Sequence, residues 1–266
     1  MTARPRLGRY GLRFFALGYL AILLLVPVGM VAYRAFEPGI GAAWDSVTTP
    51  EALHAFYLTL LMVAIAVPAN TIFGIGCALL LVRTNFRGKT LLNAVIDLPF
   101  AISPVVIGLS LILVYGAGGW FGDWLLDNGI QVIFSIPGMV LATMFVSLPF
   151  VVREVAPVLQ EIGDEQEQAA RTLGANWWQT FRRVTLPAIR WGVAYGVVLS
   201  TARALGEFGA VAVVSGRLSG QETATLYVWK QFQNFDVAGA YAASLVLAVL
   251  AVATLLAMNA FNRKEA

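Results

Sequence analysis

Charged residues are scarce in this chain of 266 amino acids: aspartate, glutamate, lysine and arginine together make up 12% of it. Cysteine and histidine occur once each, as Cys77 and His54. A single cysteine excludes a disulfide framework and a cysteine-based metal site, and we predict that the chain binds no metal ion and no cofactor. Cys77 lies in an apolar run and is expected to be a buried, inert thiol. His54 lies beside such a run and is expected at a membrane interface.

Apolar residues make up 59% of the chain and give it a mean hydropathy of +0.75. These values exclude an ordinary soluble globular protein. The formal net charge is +3, but the basic residues form no stripe on a soluble face. No nucleic-acid partner is therefore expected, and the chain is expected to contact membrane lipid.

Six apolar segments are each long enough to cross a hydrocarbon layer of about 30 Å as a helix. They predict an all-α, multi-pass membrane protein in which residues 1–266 form a single transmembrane domain. The first segment is too long for a typical signal-peptide core, so we interpret it as an uncleaved span kinked at Pro27. The predicted spans are Phe14–Phe36, Phe56–Leu81, Leu91–Tyr115, Val132–Val152, Trp191–Ser215 and Val237–Phe261.

The basic residues predict which side of the membrane each connection faces. Fourteen of the 18 lysines and arginines fall at the two termini, between spans two and three, or around the long connection between spans four and five. The opposite side has only Arg34, Arg217 and Lys230, together with several carboxylates. Both termini and the long connection are therefore predicted to face the cytoplasm.

Small residues and prolines in the spans bear on how the helices pack. Gly74 and Ala78 are spaced so that another helix can approach closely. Prolines, among them Pro99 and Pro104, lie within or near the ends of spans two, three and four. Such positions are tolerated when neighbouring helices or a water-filled cavity satisfy the freed backbone groups. Ordinary kinks and a role in gating are both open interpretations.

The long connection, about residues 160–187, contains the polar stretch Asp164–Pro187. Carboxylates lead its first half, which suits the positive end of a helix, and Gly174 can end that helix in the left-handed conformation. A second short helix is predicted to follow, with Trp178 and Phe181 on one face. A helix–glycine–helix unit on the water side of a membrane, with small alanines, is typical of a docking element.

The order of residues in this stretch resembles the EAA loop of ABC-importer permeases. The glycine, the Leu-Pro pair and both spacings match, while Gln168 replaces the family glutamate and Val184 replaces an isoleucine. In that family the loop forms coupling helices that sit in a groove of a cytoplasmic ATPase subunit. The resemblance implies a type I ABC-importer permease fold and the following ATPase-coupling residues: Glu167, Gln168, Ala169, Ala170, Gly174, Leu186 and Pro187.

Span five carries two charged residues near its middle, Arg203 and Glu207. Charged groups at membrane depth are rare and costly, and residues four apart share a helix face. With Gly196 and Ser200 they predict a small, polar stripe that faces the protein interior or a water path. Ser200, Arg203 and Glu207 are candidates for the translocation path. A locked ion pair that holds the bundle together is the alternative.

The run Arg203–Gly209 is similar to the oxyanion-importer branch of ABC permeases, which carries sulfate, thiosulfate and molybdate. The segments LPFAISPVVIG, PFVVRE and RRVTLPAIRW look most like sulfate/thiosulfate permeases of the CysW type. The likeness covers nearly the whole chain and is strongest from Leu91 to Glu222. It implies import of sulfate or thiosulfate across a bacterial inner membrane, with molybdate or another oxyanion as the alternative.

The family also implies partners. They are two cytoplasmic ATPase subunits, a second related permease and a periplasmic anion-binding protein. The sequence contains no phosphate-binding GxxxxGK[ST] loop, so ATP hydrolysis is expected in the partner and not in this chain. Pairing with itself or with a different permease is not decided by the sequence.

Two other classes of membrane protein are compatible with a chain of this composition. An intramembrane enzyme could use Glu207 or Asp97 as acid or base, but neither has a histidine, cysteine or second catalytic carboxylate near it in the sequence. An ion-coupled secondary carrier is expected to show an internal inverted repeat, and none is visible. Both are therefore ranked below the importer.

Overall fold

The computed structural model describes the backbone of residues 6–218 and 220–263, and side chains for residues 13–218 and 220–256. Within these ranges every regular element is a helix, which confirms the all-α fold class. Two π-helical turns, Ala21–Leu25 and Phe181–Thr185, join neighbouring helices. The α-helices are α1 (Arg6–Leu20), α2 (Val26–Phe36), α3 (Ile40–Val47), α4 (Pro50–Arg83), α5 (Lys89–Ala101), α6 (Pro104–Tyr115), α7 (Gly122–Asp127), α8 (Ile136–Ile162), α9 (Glu165–Thr172), α10 (Trp177–Thr180), α11 (Leu186–Ala188), α12 (Arg190–Leu205), α13 (Gly209–Val214), α14 (Ala224–Gln233) and α15 (Val237–Arg263).

The core of the bundle is the packing of α4 against α8. A Cβ atom added to Gly74 would lie 2.8 Å from the side chain of Val151, so only glycine allows this approach. Ala78 on the same helix is fully buried. The close contact predicted from the spacing of Gly74 and Ala78 is therefore confirmed. Cys77 is buried in the same apolar cluster, as predicted for an inert thiol.

Helix α12 packs against the same helix α8 through two glycines of α12. A Cβ atom on Gly196 would lie 2.8 Å from the Cα of Val151, and one on Gly192 would lie 2.9 Å from the carbonyl oxygen of Glu154. Helices within lipid associate through such van der Waals packing, since the surrounding acyl chains are as apolar as the side chains. The glycine stripe of α12 is thus a helix-packing surface.

Four helical stretches of the described residues are continuous, long and apolar enough to cross a membrane: 13–36, 50–83, 136–162 and 237–256. They confirm that predicted spans one, two, four and six are helices long and apolar enough to cross a membrane. Span two begins earlier than predicted because the Thr49 side chain accepts a hydrogen bond from the N–H of Ala52 and caps α4. Span four begins later than Val132 because Phe134 takes a positive φ of 59° and interrupts the chain before α8.

The third predicted span, Leu91–Tyr115, is not one straight helix. It is broken into α5 and α6, whose axes are bent by 116°. The break follows from Pro104, which disfavours the helical conformation at Ser103, where ψ is 137°. The bend is far sharper than an ordinary proline kink, and the segment as a single membrane crossing stays a prediction.

The fifth predicted span, Trp191–Ser215, is also broken. Helix α12 ends at Leu205 and α13 begins at Gly209, so Glu207 lies in the connection and not on a continuous helix. Helices α12 and α13 therefore do not form one continuous membrane-spanning helix like α4 or α8. The count of six spans stays a prediction.

The first span contains a π-helical turn immediately before Val26 and Pro27, where a kink was predicted. Its membrane-spanning window buries none of its side chains against the rest of the chain. Over this window the helix presents apolar surface outward, whereas near its end Ala35 is fully buried against Ala43 and Ala242. The terminal residues Arg4 and Lys264, which were predicted to be cytoplasmic, lie outside the described residues.

Candidate functional site

The polar connection between α8 and α12, residues 163–189, is called the coupling loop below. Its first helix, α9, ends as the sequence predicts. The N–H of Gly174 donates to the carbonyl of Arg171 at 2.9 Å, and the N–H of Ala175 donates to that of Ala170 at 3.0 Å. These two bonds form a Schellman motif, which requires the left-handed backbone that Gly174 adopts at a φ of +88°. The glycine thus sets the turn between the two helices of the loop.

The second helix of the coupling loop, α10, has a capping box that the sequence analysis did not identify. The Asn176 side chain accepts from the N–H of Gln179, and the Gln179 side chain accepts from the N–H of Asn176, both at 2.9 Å. The pattern Asn-x-x-Gln is the available sequence signal. Because a four-residue helix has little stability of its own, this cap fixes where the helix begins.

Apolar side chains on the coupling loop are exposed. Leu173 is 88% exposed, and the indole rings of Trp177 and Trp178 contact the ring of Phe181 at centroid distances of 5.8 and 5.6 Å. The predicted placement of Trp178 and Phe181 on one face is confirmed. Large apolar side chains that are exposed together on an otherwise polar loop are typical of a protein-binding surface.

Glu167 lies beneath this surface and anchors it. Arg83, at the end of α4, donates to Glu167 through Nε and Nη2 at 3.2–3.3 Å, and the Thr185 hydroxyl donates to the same carboxylate at 3.0 Å. The remaining Arg83 donors bind the carbonyl oxygens of Leu159 and Gly163 at the end of α8. One guanidinium therefore joins the coupling loop to both helices of the core.

The other predicted coupling residues lie at or near the surface. Gln168 and Ala169 are exposed, Ala170 is half-buried, and Gln168 donates to the Asp164 side chain at 2.8 Å. Leu186 is half-buried and Pro187 is exposed at the start of α11. The structure therefore assembles one surface from α9, α10 and α11, with Glu167 as its internal support.

The charged pair predicted in span five is formed, although Glu207 lies beyond the end of α12. Arg203 Nη1 is 2.8 Å from Glu207 Oε2, and the two side chains are 30% and 1% exposed. Glu207 Oε1 also accepts the N–H of Ala210 at 2.9 Å. The carboxylate thus neutralises the arginine and caps α13, so the ion pair bridges the break between the two helices.

Ser200 is separated from water. It is fully buried, and its hydroxyl makes no hydrogen bond to any described residue. Together with Gly196 it lies on the buried side of α12. Of the three candidate path residues, Arg203 alone has appreciable exposure.

The breaks in spans three and five face each other. A Cβ atom on Gly209 would lie 3.1 Å from Cβ of Pro104, and one on Gly108 would lie 2.8 Å from the carbonyl oxygen of Ala210. The first turns of α6 and α13 are therefore in direct contact. Pro104 and the glycines are visible in the sequence, but the pairing of the two breaks is not, because the residues are about a hundred positions apart.

No group of three or more metal-ligating side chains occurs among the described residues. Asp97, one of the two carboxylates considered for an enzyme, accepts a hydrogen bond from Arg153 at 2.8 Å, and Glu207 is held by Arg203. Both carboxylates are therefore engaged by an arginine.

The known proteins that this chain resembles are membrane components of transport systems. Residues 70–266 match the family model described as "binding-protein-dependent transport system inner membrane component". The chain is 52% identical to the sulfate transport system permease protein CysW of Synechocystis, over 93% of this chain and 90% of that protein. It is 48% identical to CysW of Escherichia coli K12, over 88% and 81% of the two chains, and 38% identical to CysT of the same strain, over 92% and 87%.

A solved structure has the same fold. The bacterial ABC transporter that imports the acidic polysaccharide alginate matches with a TM-score of 0.80, covering 96% of this chain and 94% of its own, at 18% identity. Such low identity supports the fold alone. With the family match over most of the chain and relatives near 50% identity, this multi-pass membrane protein belongs to the binding-protein-dependent transport system inner membrane components, among the CysW-type permeases.

Proposed function

We propose that this chain is the membrane-spanning permease subunit of an ATP-driven importer for sulfate or thiosulfate. The observation that carries the proposal is the identity of 52% and 48% to two proteins named as CysW sulfate permeases, over more than four fifths of each chain. Family membership places the chain with transport subunits and not with enzymes, which removes the intramembrane enzyme from consideration.

The proposed partners are two ATPase subunits, a second permease and a periplasmic anion-binding protein. The exposed Leu173, Trp177 and Trp178 on the coupling loop supply an apolar surface for the ATPase. A heterodimer is favoured because the relatives fall under two differently named permeases, CysW and CysT, found in the same Escherichia coli strain. The proposed location is the bacterial inner membrane, with both termini in the cytoplasm.

The proposed translocation path runs beside the two facing breaks, where Arg203 is the exposed cation. Transporters place unwound backbone at membrane depth where it lines a cavity, because its free polar groups need a partner other than lipid. Arg203 lies in the last turn of α12, and the backbone of residues 206–208 forms the break that follows it. Arg203 Nη1 is already paired with Glu207, so the guanidinium would meet an anion with its charge partly neutralised.

The test is uptake in a bacterial strain that lacks its own sulfate permeases. This chain is expressed with a CysT-type partner, the ATPase and the binding protein, and uptake of radiolabelled sulfate is measured in competition with thiosulfate or molybdate. Competition by thiosulfate supports the proposal, and competition by molybdate alone would assign the alternative oxyanion. Uptake that persists when the ATPase cannot hydrolyse ATP would contradict the importer mechanism.

A further inference from the structure

A cavity with both polar and apolar lining lies between α4, α5 and α8, and none of its lining residues belongs to the coupling loop. Its volume is about 350 Å³. None of its lining residues belongs to α12 or α13, so it is separate from the candidate path residues. The lining residues are Leu81, Val82, Lys89, Thr90, Asn93, Arg153, Ala156 and Gln160.

The polar part of this lining consists of a hydroxyl, two amides and two cations, with no carboxylate. The nearby acidic group, Asp97, is not part of the lining and is engaged by Arg153 through Nε at 2.8 Å. Arg153 Nη2 also donates to the Asn93 side-chain oxygen at 2.8 Å. Because Arg153 occupies the Asn93 oxygen, the NH₂ group is the part of this amide that can donate to a ligand. The cavity therefore offers mainly donors.

Lys89 is the uncompensated charge of the cavity. It is half-buried, and its Nζ makes one long hydrogen bond, 3.4 Å, to the carbonyl oxygen of Thr84. It forms no ion pair with any carboxylate of the described residues. Because Arg153 is paired with Asp97, the net charge facing the cavity comes from Lys89. It is also the first residue of α5, where the helix dipole adds positive potential.

We propose that this cavity is a binding site for a tetrahedral oxyanion of the phosphate class. The cavity is lined by a half-buried ammonium, two amides, a hydroxyl and a guanidinium whose Nε and Nη2 already bind Asp97 and Asn93. Charged and neutral donors of this kind bind the oxygen atoms of such an anion. Apolar residues of α4 and α8 complete the wall and would accommodate the first carbons of a glycerol moiety. The site is independent of which anion the permease transports.

Two sources offer this chemistry: the headgroup of an anionic phospholipid and free inorganic phosphate. Lys89 and its neighbour Arg87 belong to the basic residues that the topology prediction assigns to the cytoplasmic side of the membrane. Basic pockets between membrane helices on that side are suited to anionic headgroups, and the same donors suit a soluble anion. The experiment below distinguishes the two.

The test compares Lys89→Gln with Arg87→Gln in the purified permease complex. Both variants remove one positive charge, but Arg87 is exposed and does not line the cavity. Inorganic phosphate is titrated calorimetrically in detergent, and retention of phosphatidylglycerol relative to phosphatidylcholine is measured by native mass spectrometry from nanodiscs. Loss of one charge-assisted hydrogen bond in Lys89→Gln is expected to weaken binding about tenfold.

Weakened phosphate binding in Lys89→Gln identifies a soluble anion, and lost phosphatidylglycerol retention identifies a lipid headgroup. Lys89→Arg, which keeps the charge, is expected to retain binding, which would assign the loss in Lys89→Gln to the missing positive charge. Equal behaviour of Lys89→Gln and Arg87→Gln in both assays would overturn the proposal.

Discussion

At the scale of single residues, two arginine–glutamate ion pairs have different structural roles. Arg83 and Glu167 are 84 positions apart and join the coupling loop to the ends of α4 and α8. Arg203 and Glu207 are four positions apart and bridge a break within one span. A buried carboxylate whose cation is removed keeps its desolvation cost without the compensating attraction. Each pair can therefore be tested by removing one partner.

Arg83→Met is expected to detach the coupling loop from the core. The change leaves the Glu167 carboxylate without its cation and leaves two carbonyl oxygens at the end of α8 without a donor, which costs about 3–5 kcal/mol. Membrane insertion should persist, because the change lies at the end of a span. Uptake of sulfate should fall at least tenfold, and less ATPase should copurify with the permease.

The matched control is Arg87→Met, which removes the same charge from an exposed position that makes no ion pair with any described residue. Wild-type uptake in Arg87→Met is expected. Wild-type uptake in Arg83→Met as well would show that the loop is not held through this guanidinium.

Arg203 and Glu207 are expected to behave as a coupled pair. Arg203→Ala or Glu207→Ala alone should damage assembly or transport, and the double variant should do less harm than the two single changes added together, because it leaves no unpaired charge. Glu207→Gln separates the two roles of the side chain, since an amide oxygen can still accept the N–H of Ala210 but carries no charge.

Subunit assembly and sulfate uptake measured on the single and double variants distinguish a structural pair from a path residue. A double variant that assembles normally but does not transport would place Arg203 on the anion path. Wild-type uptake in both single variants would show that neither role applies.

At the scale of elements, the coupling loop is held by local caps. Gly174 ends α9 through its left-handed backbone, and the Asn176–Gln179 box begins α10 two residues later. Because both helices are short, their boundaries depend on these caps more than on intrinsic helix propensity. The caps determine how the exposed apolar surface of the loop is presented.

Gly174→Leu is expected to weaken attachment of the ATPase while the spans still insert. Nothing lies within 4 Å of a Cβ atom added at Gly174, so the cost is backbone strain in the left-handed region, about 1–2 kcal/mol, and not a steric clash. Gly174→Asn is the matched variant, because asparagine tolerates that region. Copurification of the ATPase should fall for leucine and be largely kept for asparagine; equal loss in both would contradict the backbone argument.

At the scale of the whole molecule, the bias of basic residues predicts the topology. A reporter fused after Arg87 or Arg183 is expected to show cytoplasmic activity, and one fused after Asp123 periplasmic activity. The reason is the excess of lysine and arginine on one side of the spans. Cytoplasmic activity after Asp123, or a C-terminus outside, would overturn this layout.

Much of the fold follows from the sequence because its signals are local. Apolar length predicts four of the spans, small residues predict the contact of α4 with α8, and a single glycine predicts the end of α9. The ends of the spans are less accurate, because the Thr49 cap and the positive φ of Phe134 shift them. The prolines of span three indicate a kink but not its angle of 116°. The break in span five was missed because the hydropathy of that segment is continuous across the break.

The sequence by itself determined that this is an all-α membrane protein, which four helices are long and apolar enough to span a membrane, and which loop resembles an ATPase-coupling element. The tertiary structure decided that Glu167 supports the loop from beneath, that two broken spans meet at their breaks, and that Lys89 and Arg153 share a cavity. The physical reason is the distance along the chain over which each kind of interaction acts. Hydropathy, caps and glycine conformations act within a few residues, whereas these contacts join residues that are distant in the chain and become neighbours only when the helices pack.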